Sequence, residues 1–245
     1  ELLDNKAYTA NMVHIVESYV RERRNHPCIV LWGIYNENSI TDHNQWEDID
    51  WDNLATKVKQ TIADLDPTSP AQRLRANCKG GGLDANYPQH WSGTYGGNWD
   101  DYRSRISSPS GELYGEYGAW AHYRKHTGRI DEFTSDMGQD GSLGFSKTME
   151  RACAFHTAYV SAALDNTENY CGHFAWVFHN FPTGRGGIMA HESDSALYKL
   201  VPINYKGLLT SWREPQDLFY LYQAYYKPKS DMPMVYICSH TWGDR

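Results

Sequence analysis

Hydrophobic positions near the amino terminus recur at helical spacing and then give way to an unbroken apolar run. The first set predicts one face of a helix, because a spacing of three to four residues returns to the same side; its members are Met12, Ile15, Val16, Tyr19 and Val20. The sequence Asn25-His26-Pro27 predicts the end of this helix, since proline cannot continue one. Residues 28 to 35 then predict a strand that is buried on both faces.

The same alternation of helix and short strand continues along the chain. A second helical stripe comprises Leu54, Val58, Ile62 and Leu65, and a third comprises Met149, Cys153, His156, Val160 and Leu164. Between and after them, the stretches "GLDANYP", "GELYGEYGAW" and "CGHFAWVFHN" predict short strands bounded by Gly or Asn. Helices that alternate with strands apolar on both faces are typical of a parallel sheet covered by helices, so the pattern predicts an α/β fold.

Composition and charge exclude several classes of function. The 245 residues carry a net charge of −7 without clustered Lys and Arg, which argues against binding to nucleic acid. The sequence also contains no apolar run of the ~20 residues that a membrane span needs, and we expect no membrane contact. The five cysteines lack metal-ligand spacing and are predicted to be small core residues rather than disulfide partners.

Two glutamates follow predicted strands, and together they suggest a chemistry. Glu37 comes directly after the apolar run, behind Asn36, and Glu116 ends the strand in "ELYGEYGAW". Either residue alone would be explained as well by a helix cap or by a solvent-facing position. In parallel α/β folds, however, functional groups gather at the carboxyl ends of the strands, and two carboxyl groups there supply the acid and the nucleophile that cleave a glycosidic bond.

The segments around these glutamates resemble a known family. "NHPCIVLWGIYNEN" is similar to the acid/base signature of glycoside hydrolase family 2, which includes β-galactosidases, β-glucuronidases and β-mannosidases. "YGEYG" resembles the nucleophile strand of that family, and "FAWVFHNF" resembles its last barrel strand, where a Trp faces the sugar. The final "PMVYICSHTWGDR" resembles the opening strand of the β-sandwich that follows the barrel.

The resemblance implies a (β/α)8 TIM barrel of which this chain holds strands four to eight. Strand four would be residues 28–35 and strand seven residues 112–115, with strands five, six and eight in "AQRLRANC", "GLDANYP" and "HFAWVF". Because a barrel closes with eight strands, we expect the first half to lie upstream. The expected domains are residues 1–228, the C-terminal part of the catalytic barrel, and residues 229–245, the start of the sandwich.

The resemblance also implies roles for individual residues in a retaining, double-displacement mechanism. Glu116 would be the nucleophile and Glu37 the acid/base, with carboxyl groups ~5–5.5 Å apart. Asn36 would bond the sugar 2-hydroxyl unless it serves as a cap, and Tyr87 would hold the nucleophile unless it only packs in the core. Trp176 would form a platform under the sugar or, alternatively, fill the barrel core. Further candidate sugar contacts are His90, Trp91, Trp99, His179 and Asn180.

Departures from the family pattern affect the choice of sugar rather than the reaction. Gly115 stands where the family often has Ser, and Asn180 stands where it often has Asp. We expect a β-galactosidase. The alternatives are a β-glucuronidase, which would need a cationic clamp on the C6 carboxylate, a β-mannosidase, an endo-acting glycanase of the same clan and a non-catalytic sugar-binding relative.

The expected partners are a carbohydrate substrate, the upstream half of the barrel and, as an open alternative, a second copy of the chain. No metal site and no cofactor are predicted. Polysaccharide breakdown would suit a bacterial periplasm or exterior.

Overall fold

The computed structural model describes most of the predicted helices and strands. The described residues are 5–36, 50–67, 73–78, 83–90, 112–120, 122, 126, 148–168, 170–182 and 203–238. Their contacts divide the chain into two compact units, Glu1–Gln89 and His90–Arg245.

The first unit is a parallel sheet with two helices. Its elements are α1 (Asn5–Arg23), β1 (Leu31–Asn36), α2 (Trp51–Leu65), β2 (Leu74–Cys78) and β3 (Ala85–Tyr87). The sheet order is β1-β2-β3, and both pairings are parallel. The predicted strand at residues 28–35 therefore starts later than expected and ends on Asn36. The stretches proposed as strands five and six form β2 and β3.

The core of the first unit lies between the sheet and the two helices. Val20 from α1, Trp32 from β1 and Leu54 from α2 are each completely buried there. The indole Nε1 of Trp32 donates a hydrogen bond of 2.9 Å to Oδ2 of Asp66, which also pairs with Arg73 at 2.9 Å. A buried carboxylate needs such partners, because an unpaired charge in the interior is costly.

The second unit contains a second parallel pair of strands with helices packed against it. Its elements are β4 (Gln89–His90, which spans the boundary between the units in the chain), β5 (Glu112–Gly118), α3 (Met149–Asp165), β6 (Tyr170–Trp176), β7 (Phe181–Pro182), β8 (Ile203–Asn204) and α4 (Asp217–Tyr226). Strands β4, β5 and β6 form one sheet in that order, and β5 pairs with β6 in parallel. Strands β7 and β8 form an antiparallel pair.

The core of the second unit is rich in aromatic side chains. Tyr114 and Tyr117 from β5, Trp120 just beyond β5, and Phe155 and Tyr159 from α3 all belong to one buried cluster. Tyr117 stacks on Tyr159 with ring centroids 5.1 Å apart, and Trp120 stacks on Phe155 at 4.8 Å. These contacts attach β5 to the helix layer.

The cysteine prediction is wrong in one respect. None of the five cysteines forms a disulfide bond, but Cys28, Cys171 and Cys238 are exposed rather than buried. Cys28 precedes β1 instead of lying inside it, and Cys171 lies at a register shift between β5 and β6. An apolar stretch therefore did not guarantee burial of its cysteine.

Two further predictions concern the membrane and the carboxyl terminus. Among the described helices, none is long and apolar enough to cross a membrane. Residues 232–238 have no regular secondary structure, although Tyr236 stacks on Tyr220 of α4 at 3.9 Å and its hydroxyl donates to Asp217. That this segment opens a second domain stays a prediction.

Candidate active site

In the first unit, the candidate residues lie at the carboxyl ends of the parallel strands. The register aligns Asn36 of β1 with Cys78 of β2, and Cys78 with Tyr87 of β3. Asn36 and Tyr87 therefore occupy one row across the sheet. The side chain of Gln89 donates a hydrogen bond from Nε2 to Oδ1 of Asn36 at 3.0 Å. Glu37 lies outside the described residues.

Strand β1 carries an extra residue shortly before this edge. Gly33 pairs with Ala76 and Tyr35 pairs with Asn77, so two steps along β1 match one step along β2. An extra residue of this kind bends a strand and redirects the side chains that follow it. The extra residue falls between Gly33 and Tyr35, two residues before Asn36.

In the second unit, Glu116 lies in a similar irregularity of β5. Tyr114 pairs with His173 and Tyr117 pairs with Ala175, so three steps along β5 match two along β6. As a result, two tyrosines three residues apart are both fully buried in the same core. Glu116 lies between them and is partly exposed. The extra residue thus separates the carboxylate from the core to which its neighbour belongs.

Trp176 ends the strand next to Glu116. It pairs with Gly118 at the carboxyl end of β5 and β6, and its carbonyl oxygen accepts a hydrogen bond of 2.9 Å from the backbone N–H of Ala119. Its ring is partly buried and meets Phe181 edge to face at 5.9 Å. The peptide bond that follows it is cis. The structure therefore brings Glu116 and Trp176 to the same end of one strand pair, whereas the platform role of Trp176 stays a prediction.

Two residues after Glu116, the backbone requires glycine. Gly118 has a φ of +95°, which L-residues rarely adopt, and a Cβ there would lie 3.0 Å from Cε1 of His156 and 3.2 Å from the carbonyl oxygen of Trp176. Ala119 follows with a φ of +67°. The chain turns sharply here under close packing. The second glycine of "YGEYG" is therefore required for steric reasons.

Behind β5, a network of buried and partly buried Tyr and His side chains connects the strand to α3 and α4. The hydroxyls of Tyr117 and Tyr222 are hydrogen bonded to each other, and Nδ1 of His156 lies 2.7 Å from the Tyr222 hydroxyl. The ring of His173 stacks on Tyr117 at 4.6 Å. Burial, with smaller contributions from His122 and His173, lowers the pKa of His156 to about 3. His156 is therefore neutral at pH 7.

The sequence indicated His156 only as one position of a helical stripe, without its partners. Those partners come from β5 and α4, which are far from it in the chain. A buried histidine on an apolar helix face was the available signal, and it could not identify the tyrosines that bond it.

The remaining predicted sugar contacts have structural partners. His90 is 2% exposed and meets Tyr114 edge to face at 4.0 Å. Asn180 is also 2% exposed, and its side-chain oxygen accepts a hydrogen bond of 2.7 Å from the backbone N–H of Gly207. His179 is bonded through Nδ1 to the carbonyl oxygen of Asn180 at 2.9 Å. The contacts of His179 and Asn180 hold the chain after β6, whereas that of His90 is with β5. A sugar contact by any of the three stays a prediction. Trp91 and Trp99 lie outside the described residues.

Sequence reasoning missed two buried polar residues, one of which bonds the backbone beside Trp176. Asn204 and Lys206 are 4% and 3% exposed. The backbone N–H of Val177, which follows Trp176, donates to the carbonyl oxygen of Lys206 at 3.3 Å. Neither polar atom of the Asn204 side chain has a hydrogen-bond partner in the part of the chain that the structure describes. The available signal was a lone lysine in the apolar stretch "VPINYKGLL". Among the described residues, no group of His, Cys, Asp and Glu side chains could hold a metal ion.

Comparison with known families identifies the class of protein. The family model for the TIM barrel domain of glycosyl hydrolases family 2 matches residues 1–228. The chain therefore belongs to glycoside hydrolase family 2, and the resemblance seen in its motifs is confirmed.

Individual relatives carry the names of β-uronidases. A protein of Formosa agariphila, whose name assigns it provisionally to the β-glucuronidases, is 26% identical over an alignment 265 residues long. The alignment covers 99% of this chain and 30% of that protein. The crystal structure of a Parabacteroides merdae β-glucuronidase aligns with a TM-score of 0.68 at 19% identity, covering 91% of this chain and 30% of that one. A family 2 β-galacturonidase from Eisenbergiella tayi aligns with a TM-score of 0.57 at 16% identity, covering 89% and 36%.

These likenesses establish the TIM-barrel fold. The identities to the solved structures are too low to carry more than that. This chain spans about a third of the length of the relatives that it matches.

Proposed function

We propose that the protein containing this chain is a retaining β-glycosidase in which Glu116 is the nucleophile and Glu37 is the acid/base. The observation that carries the proposal is the position of Glu116 in this chain, which belongs to family 2. It lies at an extra residue near the carboxyl end of β5, and Trp176 ends the neighbouring parallel strand. In TIM barrels this end of the strands carries the active site. The chain would be the C-terminal part of a barrel whose upstream half completes the site.

The proposed reaction has two steps. The ionised carboxylate of Glu116 attacks the anomeric carbon while Glu37 gives its proton to the departing glycosidic oxygen, which leaves a glycosyl ester on Glu116. Glu37, now ionised, takes a proton from water, and the resulting hydroxide attacks the anomeric carbon and releases Glu116. In this proposed pair the negative charge of free Glu116 would favour the protonated form of Glu37, and that influence would end when the ester forms. The same residue can therefore act first as an acid and then as a base.

For the substrate, we propose a terminal β-linked uronic acid. A uronic acid carries a carboxylate at C6, and the recognition of a carboxylate calls for a cation together with hydrogen-bond donors. Asn204 and Lys206 fit this requirement, because both are buried and the backbone carbonyl oxygen of Lys206 accepts a hydrogen bond from the residue after Trp176. The side-chain amide of Asn204 has no partner among the described residues and would gain one from the sugar. The names of the relatives agree with this choice.

The expectation of a β-galactosidase finds no support among the relatives named above. A galactoside has a neutral hydroxymethyl group at C6 and therefore offers Lys206 no carboxylate to bind. Turnover of different substrates separates the proposal from the alternatives, which are a β-galactosidase, a β-mannosidase, an endo-glycanase and a non-catalytic protein. The non-catalytic protein would turn over none of them.

The deciding experiment is a panel of aryl β-glycosides tested on the full-length protein. We expect turnover of the glucuronide or galacturonide, and much slower turnover of the galactoside and mannoside. Glu116→Ala should abolish turnover. Glu37→Ala should retain some activity on substrates with good leaving groups, which need little protonation. Added azide should raise the activity of this variant and give a β-glycosyl azide as product. An α-azide would contradict the assignment of the two roles, and a full-length protein that cleaves none of the substrates would contradict the proposed function.

A second variant tests the substrate class alone. Lys206→Met keeps the length of the side chain and removes its charge. Because hydrogen bonds to charged groups contribute about 1.5–3 kcal/mol, we expect kcat/KM for the uronide to fall roughly 10- to 100-fold. Slow activity on an aryl galactoside should be unchanged. An equal loss on both substrates would mean that Lys206 supports the fold rather than binding the carboxylate.

A further inference from the structure

The hydrogen bond between Gln89 and Asn36 has a defined direction. Gln89 lies two residues beyond Tyr87, which shares a row with Asn36 at the carboxyl edge of the first sheet. Its side-chain Nε2 donates to Oδ1 of Asn36 at 3.0 Å. An amide nitrogen only donates, so this contact requires the oxygen of Asn36 to face Gln89. The NH2 group of Asn36 therefore points the other way, and the residue is exposed at the sheet edge.

The direction matters for the chemistry of the sugar hydroxyl that Asn36 would bind. A hydroxyl has one proton to donate and can accept through its lone pairs. In a retaining site the ionised nucleophile accepts only, so the hydroxyl next to the anomeric carbon is expected to give its proton to that carboxylate. A second neighbour of this hydroxyl must then be a donor. The NH2 group of Asn36 meets the requirement, whereas a flipped amide would present an acceptor.

We propose that Gln89 is a positioning residue that fixes the amide of Asn36 with its NH2 group toward the substrate. The inference rests on the proposed function, since it concerns how the same site holds the sugar 2-hydroxyl. Gln89 itself need not touch the sugar. Its contribution is to keep the amide from flipping, so that its loss weakens an interaction that strengthens in the transition state.

Two variants of Gln89 test this role. Gln89→Glu has the same shape but accepts only, so Asn36 should turn its NH2 group toward residue 89. Gln89→Met has a similar length, is neutral and leaves the amide free to flip. For an aryl β-glycoside with its 2-hydroxyl, kcat/KM should fall about tenfold in Gln89→Glu, which corresponds to one hydrogen bond. The fall in Gln89→Met should be smaller, and the loss should appear in KM as well as in kcat.

The matched substrate is the 2-deoxy glycoside, which lacks the hydroxyl. Both variants should equal the wild type on it, because the amide then has nothing to orient. In an Asn36→Ala background, the Gln89 substitutions should have no further effect on either substrate. Equal losses on both substrates would overturn the proposal in favour of a general structural effect, and wild-type rates on both would show that Gln89 positions nothing.

A binding measurement separates this inference from the proposed function. If the full-length wild type turns over no glycoside, the proposed function fails. Calorimetry with the free monosaccharide and its 2-deoxy analogue then decides on Gln89. Weaker binding of the parent sugar alone in Gln89→Met supports the positioning role, and equal affinities in wild type and variant overturn it.

Discussion

Strands β1 and β5 each hold an extra residue near their carboxyl ends, but the two ends are held in place differently. At the end of β1, Asn36 is exposed and is held by a side-chain hydrogen bond from Gln89. At the end of β5, residues 117–120 are all buried, and the ring of His156 packs against Gly118. A single side-chain hydrogen bond therefore holds the edge beside the proposed acid/base, whereas tight packing holds the edge beside the proposed nucleophile.

The difference suggests how each edge tolerates change. A packed edge transmits a small increase in volume directly to the backbone, because close-packed interiors have few voids. An exposed edge accepts added atoms, but the orientation of Asn36 there depends on the polar side chain of Gln89. Substitutions that add volume should therefore lower stability most in the second unit. Substitutions that change the polarity of a side chain should affect activity in the first unit.

The largest expected effect on stability is that of Gly118→Ala. The new methyl group would strain the positive φ and collide with His156 and with the carbonyl of Trp176. We expect a loss of about 3 kcal/mol or more, which corresponds to a fall of roughly 6–12 °C in the thermal midpoint of the unit. Calorimetry on the full-length protein measures it.

The matched control is Gly33→Ala in β1. A Cβ at Gly33 would meet nothing within 4 Å. The thermal midpoint should therefore change by no more than about 2 °C. The direction should be upward, because alanine loses less backbone entropy on folding than glycine. Similar effects at both glycines would remove the contrast between a packed and an open edge.

A smaller effect is expected when a hydroxyl is removed from the buried network. Tyr222→Phe deletes the group that bonds both Tyr117 and His156. Because buried polar groups that lose a partner cost about 1–3 kcal/mol, we expect a loss in that range.

Tyr35→Phe in the first unit is the counterpart. The Tyr35 hydroxyl is buried and has no hydrogen-bond partner in the described part of the chain, and burial raises its pKa. Its removal should be neutral or stabilising. A clear destabilisation by Tyr35→Phe would reveal a partner for that hydroxyl, and a neutral Tyr222→Phe would show that the network contributes little.

The most gradual effect concerns pH. The pKa of His156 falls from 6.5 to about 3 on burial, so the unfolded chain takes up a proton below pH 6.5 while the folded protein does not. Stability is therefore full above pH 6.5 and is lost as the pH falls toward 3, by up to about 1.4 kcal/mol per pH unit. His173, whose pKa burial lowers to about 4, adds to the loss.

The first unit should respond only at lower pH. At Asp84 desolvation raises the pKa, but hydrogen bonds from Arg75 and Lys59 outweigh it, so that the net pKa lies below 3.8. That contribution is lost only as the pH falls below this value. Calorimetry between pH 7 and pH 4.5 should thus show a decline that His156→Gln makes shallower. An unchanged slope in this variant would exclude His156 as the source.

The sequence by itself determined the class of fold and the places of the main candidates. Apolar runs between helical stripes predicted parallel strands, and the positions of Asn36 and Glu116 at or near strand ends followed from that pattern. These features are local, because burial on one face or on two leaves a period in the sequence. The motifs around them were continuous stretches, which is why the family was evident before the structure.

Only the tertiary structure decided which side chains meet. The extra residues in β1 and β5 appear only when two strands are aligned, since they are defined by the partner strand. His156 and Tyr222 are 66 residues apart, and Gln89 and Asn36 are 53 apart. The burial of Asn204 and Lys206 likewise depends on what packs around them. Contacts between separate elements leave no period in the chain, and so residue spacing alone could not reveal them.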